Sequence, residues 1–180
     1  MSGLARLIND LGLDADLEAR FQREPREVIQ DYGLSREEEE ALVFGWPADE
    51  SAGQMNRAHV LVVEDEPVNR DLMVEFLEME GFSVDAAGDG EEALRYCRDQ
   101  APDIVLMDIN LPILSGLEAT RELRDWPSMT AVPVIAVSAQ SEPPHRQAAE
   151  AAGCTVFEPK PVNFPRLLRL MQCLLLARRV

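Results

Sequence analysis

The sequence predicts an α/β chain, with a doubly wound parallel sheet of five β–α units over residues 58–180 and a small all-helical segment before it. Three observations carry that expectation. Val60-Leu61-Val62-Val63, Ile104-Val105-Leu106-Met107 and Val134-Ile135-Ala136-Val137 are continuously apolar, as strands covered on both faces must be. Stretches of helical periodicity with clear stops alternate with these runs, a pattern that closes into a parallel sheet with helices on both sides. The runs also end in polar groups, namely Glu64-Asp65, Asp108 and Ser138, and Lys160 ends a fourth. Ligands of open parallel sheets bind at such carboxyl ends.

Taken in order, residues 1–46 read as short helices. Leu4, Leu7, Ile8 and Leu11 follow the i, i+3, i+4, i+7 spacing, and Gly12 ends that helix. Asp14 or Asp16 caps a second piece that finishes near Phe21-Gln22. Pro25 suits the first turn of a third, whose Val28, Ile29 and Tyr32 share a face before Gly33. Ser35-x-x-Glu38 is a capping box that opens a fourth, with Leu42 and Val43 as its apolar residues. So small a bundle has little core and needs another surface to lean on. Residues 47–57 are polar, rich in small residues and without periodicity, which reads as a linker.

Beyond the linker the predicted strands are 59–64, 84–87, 104–108, 133–137 and 155–157. The helices between them are 69–80, stopped by Gly81, 90–99, stopped before Pro102, and 116–125, stopped before Pro127. A fourth, 144–152, stops at Gly153, and 163–177 is the last. On that last helix Phe164, Leu167, Leu168, Met171, Leu174 and Leu175 form the stripe expected to face the sheet. Leu170, Cys173 and Leu176 are placed on other faces, so this helix is expected to meet a second surface, either the N-terminal bundle or another copy in a homodimer.

Composition narrows the function classes. The chain is 46 % apolar, enough for a core, and its net charge of −16 is shared by both halves, −7 over residues 1–57 and −9 over 58–180. Such a balance repels nucleic acid and anionic membranes, so neither is an expected partner. Cys97, Cys154 and Cys173 are widely spaced and sit in apolar or helical surroundings, which fits reduced thiols rather than zinc ligands. No basic-then-apolar leader opens the sequence. The most apolar stretch, 167–177, is broken by Arg169 and is shorter than the ~20 residues a spanning helix needs. A soluble cytoplasmic protein is expected.

Lys160 is the only lysine; the other sixteen of seventeen cationic residues are arginine. An ammonium is a compact point charge with rotatable donors, whereas guanidinium is a planar fork, so this position reads as one that needs a point charge. Carboxylates crowded at one sheet rim repel one another and take up either a proton or a cation. Magnesium suits such a place, since it takes a few carboxylates and keeps waters for an incoming phosphate. Ser138 offers a hydroxyl to a phosphoryl oxygen, Lys160 a positive charge, and an aspartate can attack phosphorus to give an aspartyl phosphate.

Four segments carry a resemblance. They are Val62-Val63-Glu64-Asp65-Glu66, Val105 to Pro112 with Gly116, Ala136-Val137-Ser138-Ala139, and Phe157-Glu158-Pro159-Lys160-Pro161. Standing in this order over residues 58–180, they resemble the receiver domain of bacterial two-component response regulators. The resemblance implies a flavodoxin-like (βα)5 sheet of strand order 2-1-3-4-5. It implies that Asp108 accepts a phosphoryl group, and that Glu64, Asp65, Asp108 and the backbone carbonyl of Asn110 hold Mg2+. Ser138 and Lys160 would contact phosphoryl oxygens, and Phe157 would be the aromatic switch residue, turning inward after Ser138 moves. Glu64 stands where many members have aspartate, and its longer side chain reaches the metal directly or through water. Pro67-Val68-Asn69-Arg70 and Gly116 to Thr120 resemble receivers of phosphorelays and hybrid kinases. His59 and His145 read as ordinary strand-end or surface histidines.

The implied function is phosphorylation-controlled protein interaction, with a histidine kinase or histidine phosphotransfer protein as donor and a downstream protein as partner. No DNA-binding output is expected, since no such segment follows. A pseudo-receiver that binds partners without phosphate is the alternative. A true enzyme, such as a phosphatase, would need a second acid–base residue near Asp108, and none is evident. Phe21, Pro25, Val28, Tyr32-Gly33-Leu34-Ser35, Glu38 and Ala41-Leu42 resemble the small helical subunit of protocatechuate-type ring-opening dioxygenases. That likeness implies a binding or capping module in residues 1–46.

Overall fold

Five short strands build the sheet: β1 (His59–Val63), β2 (Ser83–Ala87), β3 (Ile104–Asp108), β4 (Val134–Ser138) and β5 (Val156–Pro159). They lie parallel in one sheet of order β2-β1-β3-β4-β5. The structure is a computed structural model and describes residues 23–34, 58–140 and 142–178, with Gly3, Arg6, Leu7, Asp10, Leu17, Arg20 and Phe21.

Among the described residues, helices with described bounds are α1 (Pro25–Tyr32), α2 (Pro67–Met79), α3 (Gly90–Asp99), α4 (Gly116–Arg124), α5 (Pro143–Ala152) and α6 (Phe164–Ala177). Their starts follow local chemistry. Asp89 accepts from the Glu92 N–H at the head of α3, and Ser115 with Glu118 forms a reciprocal capping box on α4. Proline fills the first turn of α1, α2 and α5, where a missing N–H costs nothing. Gly33 and Gly153 end α1 and α5 in the left-handed conformation that glycine tolerates.

Strand alternation sorts the core into two layers. Leu61, Val63, Val105, Met107, Val134 and Ala136 point to the face covered by Leu94 of α3, Leu123 of α4 and Ala149 of α5. Val60, Val62, Ile104, Leu106, Ile135 and Val137 point to the other face, under Met73 and Leu77 of α2 and Leu167 and Met171 of α6. β1, β3 and β4 are buried along almost their whole length, as their unbroken apolar character predicts, whereas edge strand β2 is largely exposed.

Boundaries differ from expectation by a few residues. α2 starts at Pro67 rather than 69, β4 includes Ser138, and β5 runs through Pro159. One burial expectation is overturned. Leu170 does not lie on a second face of α6 but is buried in the sheet-facing cluster. It stands three residues after Leu167 and four before Leu174, so it shares their stripe, and it gives no reason for a second partner. Cys173 is also buried, and the Leu176 side chain lies outside the described residues.

Near the N-terminus, Leu7, Val28 and Ile29 form a third apolar cluster with Leu17, Phe21, Tyr32 and Leu34 against it. Tyr32 Oη donates to Asp10 at 2.8 Å, and Arg20 pairs with Asp31 at 2.9 Å. The expected capping box at Ser35 and Glu38, Leu42, Val43 and the linker 47–57 lie outside the described residues.

Candidate functional site

Parallel register brings the strand ends level. Val63 pairs with Met107, Asp108 with Val137, and Ser138 with Pro159, so Glu64, Asp108, Ser138 and Lys160 converge on one rim. Glu64 continues the β1–β2 ladder by one bond, its N–H donating to the Ala87 carbonyl at 3.1 Å. Its side chain is 2 % exposed and that of Asp108 about as buried, while Asp65 is open to solvent. One carboxylate oxygen from each of Glu64, Asp65 and Asp108 lies within 4.8 Å of the other two.

The turn after β3 fixes the Asp108 carboxylate from below. Asn110 N–H donates to Asp108 Oδ1 at 2.8 Å, and Gly116 N–H donates to the Ile109 carbonyl at 3.1 Å. Ile109 and Leu111 are buried and anchor this loop. Gly116 is required here for space rather than dihedral freedom: a Cβ at this position would stand 1.9 Å from the Asp108 carbonyl oxygen. Between Leu111 and Gly116, Ile113 has φ of 66° while its side chain is exposed, an unusual backbone state for a β-branched residue. The Leu114 N–H closes that tight turn onto the Pro112 carbonyl at 2.7 Å.

Lys160 bridges the two buried carboxylates. Its Nζ donates to Glu64 Oε2 at 2.6 Å and Asp108 Oδ2 at 2.5 Å. The Lys160 backbone N–H donates to the Ser138 carbonyl at 2.8 Å, which seats the residue at the rim, and the Lys160–Pro161 peptide is cis. Burial works against the ammonium, but the hydrogen bonds it donates to Asp108 and Glu64 outweigh it and hold the lysine above its ordinary pKa. Ser138 is buried, and its Oγ accepts from the Gln140 N–H at 3.1 Å. Among the described residues this hydroxyl is not shown touching Asp108 or Lys160.

The donor set tests whether a metal fits. All three ligand atoms are hard carboxylate oxygens, and three carboxylates face a single ammonium, so negative charge remains for a cation to balance. That chemistry matches Mg2+, which prefers oxygen and keeps several waters when only a few carboxylates bind it.

The rim therefore gathers Glu64, Asp65, Asp108, Ser138 and Lys160. Asn110 meets Asp108 through its N–H. The Phe157 ring is buried in the core, with the Arg146 guanidinium 5.2 Å over its face. Its register partner is Ala136, and Ala149 belongs to the same cluster, so small neighbours leave room for the ring.

Two contributors escaped sequence reasoning. Arg70 Nη1 donates to the Glu64 carbonyl at 2.9 Å, and Asn69 Nδ2 lies 3.4 Å from Glu64 Oε1. The Pro67–Arg70 run was the available signal. His59 is more than a strand-end residue, since its ring meets Asp85 Oδ2 at 2.7 Å, Tyr96 Oη at 2.8 Å and Gln100 Nε2 at 2.9 Å. That cluster begins at the amino end of β1, away from the acidic rim. Cys97, Cys154 and Cys173 are all buried thiols.

Comparison with known proteins gives the family and the fold. The sequence profile of the response regulator receiver domain matches residues 60–172. The polar-differentiation response regulator DivK of Brucella anthropi is 35 % identical over 113 residues, covering 63 % of this chain and 92 % of DivK. Among solved structures, the receiver domain of the sensor histidine kinase PA1611 from Pseudomonas aeruginosa, with magnesium in its active-site cleft, superposes with a TM-score of 0.63. It is 34 % identical and covers 66 % of this chain and 98 % of that one. The receiver domain of Saccharomyces cerevisiae Ssk1, solved with the histidine phosphotransfer protein Ypd1, gives a TM-score of 0.59 at 29 % identity, covering 62 % and 84 %.

Proposed function

Because the chain belongs to the response regulator receiver family, we propose that it is a phosphorylation-controlled switch whose phosphoacceptor is Asp108. As a receiver it is a signalling protein rather than an enzyme. The observation that carries the proposal is the convergence of Glu64, Asp65 and Asp108 with Lys160 bridging the buried pair.

Glu64, Asp65, Asp108 and the Asn110 carbonyl would hold Mg2+, which supplies positive charge for an incoming phosphoryl group. An Asp108 carboxylate oxygen attacks phosphorus. With a phosphohistidine donor the P–N bond breaks, its electron pair returns to the imidazole, and an acyl phosphate forms on Asp108. Lys160, already at the Asp108 carboxylate, neutralises the phosphoryl oxygens, and the Ser138 hydroxyl donates to another. Small phosphodonors give self-phosphorylation in the same way, and later attack of water on phosphorus breaks the P–O bond to Asp108, releasing inorganic phosphate and returning the aspartate.

The donor is a histidine kinase or histidine phosphotransfer protein. A nearly buried Asp108 is reachable only by a donor seated on the rim, and the rim carries exposed apolar residues: Val68 and Leu72 on α2, and Ile113 after β3. Residues 1–46 form a helical interaction module, 47–57 a linker and 58–180 the receiver; the separate cluster around Leu7, Val28 and Ile29 supports that division. Phosphorylation alters contacts with a downstream protein through the Ser138–Phe157 side of the site. The three buried thiols suit a reduced, cytoplasmic setting.

The test is incubation of the chain with Mg2+ and acetyl phosphate, and separately with beryllofluoride, read by intact mass and 19F NMR. One adduct that disappears in Asp108→Asn is expected. Absence of any Asp108-dependent adduct would make the chain a pseudo-receiver that binds partners without phosphate.

A further inference from the structure

The β1–α2 loop has to hold Glu64 and Asp65 at the rim although their side chains repel each other. Its backbone bonds run only part of the way: Glu64 N–H reaches Ala87, and Arg70 N–H reaches the Glu66 carbonyl at 3.0 Å as α2 begins. The carbonyls of Glu64 and Asp65 are met by one side chain. Arg70 Nη1 donates to Glu64 O at 2.9 Å and approaches Asp65 O at 3.4 Å.

The guanidinium also borders the neighbouring loop. A Cβ built on Gly88 would stand 3.5 Å from Arg70 Nη1 and 3.6 Å from Glu92 Oε2, so both side chains flank Gly88. Glu92 Oε2 in turn accepts from the Gly88 N–H at 2.7 Å. Arg70 thus reaches from the first turn of α2 back over its own loop and against the loop that follows β2.

We propose that Arg70 is a positioning residue for the cation site, holding the Glu64–Asp65 backbone so that both carboxylates stay aimed at the rim. The inference rests on the reading of that rim as a Mg2+ site. Two effects of the guanidinium oppose each other. Its positive charge near three carboxylates repels a cation, while its hydrogen bonds fix the carboxylates that bind one. Which effect dominates fixes the sign of the change on its removal. Ligand-orienting partners beyond the metal's own ligands are worth about 10–100-fold in metal affinity. The guanidinium sits at a partly open rim, where solvent weakens its repulsion, so orientation wins.

The experiment is Mg2+ titration of the full chain by isothermal calorimetry, comparing wild type with Arg70→Met and Arg70→Lys, with urea melts in parallel. Arg70→Met is expected to raise the Mg2+ Kd at least tenfold. Arg70→Lys keeps a donor within reach of one carbonyl and recovers part of that loss. With acetyl phosphate, the Mg2+ concentration for half-maximal phosphorylation rises in Arg70→Met while the rate at saturating Mg2+ stays near wild type. Tighter Mg2+ binding in Arg70→Met would show that repulsion governs and would overturn the proposal, as would an unchanged Kd. If both variants fail to fold, Arg70 supports the fold rather than the site, and the proposal is again overturned. Wild type that binds no Mg2+ would instead sink the reading of the rim on which this rests.

Discussion

Gly116→Ala puts one methyl group where the structure has no room. The added Cβ would lie 1.9 Å from the Asp108 carbonyl oxygen, 2.9 Å from its carbon and 2.9 Å from Met107 Cγ. The first two are backbone atoms of the proposed phosphoacceptor, so neither can swing aside as a flexible side-chain end would. Even the 3.0 Å lower limit of real contacts requires a withdrawal of about 1 Å, and a misplacement of about 1 Å near the reacting atoms costs about 100-fold in rate. The same clash is an overpacking error worth about 1–3 kcal/mol, set against a helix-propensity gain of up to about 1 kcal/mol for alanine at the start of α4. A net loss of about 1 kcal/mol, the centre of those ranges, corresponds to a fall in Tm of about 2–4 °C for a chain of this size. The assay is the initial rate of acetyl phosphate labelling at saturating Mg2+, with calorimetric melting of the same samples. An unchanged rate and unchanged Tm would refute the claim that this glycine is required by its approach to Asp108.

Mg2+ at ten times its Kd should stabilise the fold by about 1.4 kcal/mol, raising Tm by about 3–6 °C; Asp65→Asn or chelation with EDTA should abolish the shift in differential scanning calorimetry. Stability should also decline on the alkaline side. Lys160 has a folded pKa above its ordinary value, so its contribution is complete below pH ~10.4 and lost as pH rises through the folded value. Burial pushes the Cys97 thiol up to about 12, so from pH ~8.5, where the unfolded thiol ionises, up to 12 the folded chain holds the extra proton and stability falls with pH. Urea melts from pH 8 to 11 should therefore slope downward, with a shallower slope in Cys97→Ala. Val68→Glu with Leu72→Glu removes two exposed apolar side chains worth about 1.5–3 kcal/mol each when covered. Transfer from a cognate histidine phosphotransfer protein should drop at least tenfold, with acetyl phosphate labelling unchanged; equal loss from both donors would place these residues outside the docking face.

Much of the architecture was legible because burial on both faces leaves no alternative to an unbroken apolar run. That is why β1, β3 and β4 could be placed to within a residue, and why their polar terminators marked the rim. Edge strand β2 carries Ser83 and Asp85 on a largely solvated ribbon, so its start was less visible. What the sequence hid depends on geometry rather than pattern. Leu170 looked peripheral only because the apolar stripe of α6 was drawn too narrow, although its spacing from Leu167 and Leu174 already placed it inward. Arg70 makes side-chain to backbone bonds, which leave no periodicity to read. The burial of Phe157 beside Ala136, its register partner, and in one cluster with Ala149 joins residues from distant segments.

The contacts of Asp108 set what any phosphoryl group must displace. One oxygen, Oδ1, accepts from the Asn110 N–H, and the other, Oδ2, accepts from Lys160. Each oxygen already accepts one hydrogen bond, so in the proposed transfer an acyl phosphate forming on either would compete for space with one donor. The Asn110 N–H is held by the loop that Ile109 and Leu111 anchor, whereas the ammonium ends a flexible stem and has three donors to redistribute. In the proposed transfer Lys160 is the donor that would yield, exchanging Asp108 Oδ2 for a phosphoryl oxygen while keeping Glu64 within reach. A guanidinium in its place would present a planar fork to Glu64 and Asp108 together and would have to break two directed bonds at once. Lys160→Arg should then slow acetyl phosphate labelling more than it weakens the resting fold, measured as initial rate against urea midpoint. A variant that labels at the wild-type rate would show that a point charge is not what this position requires.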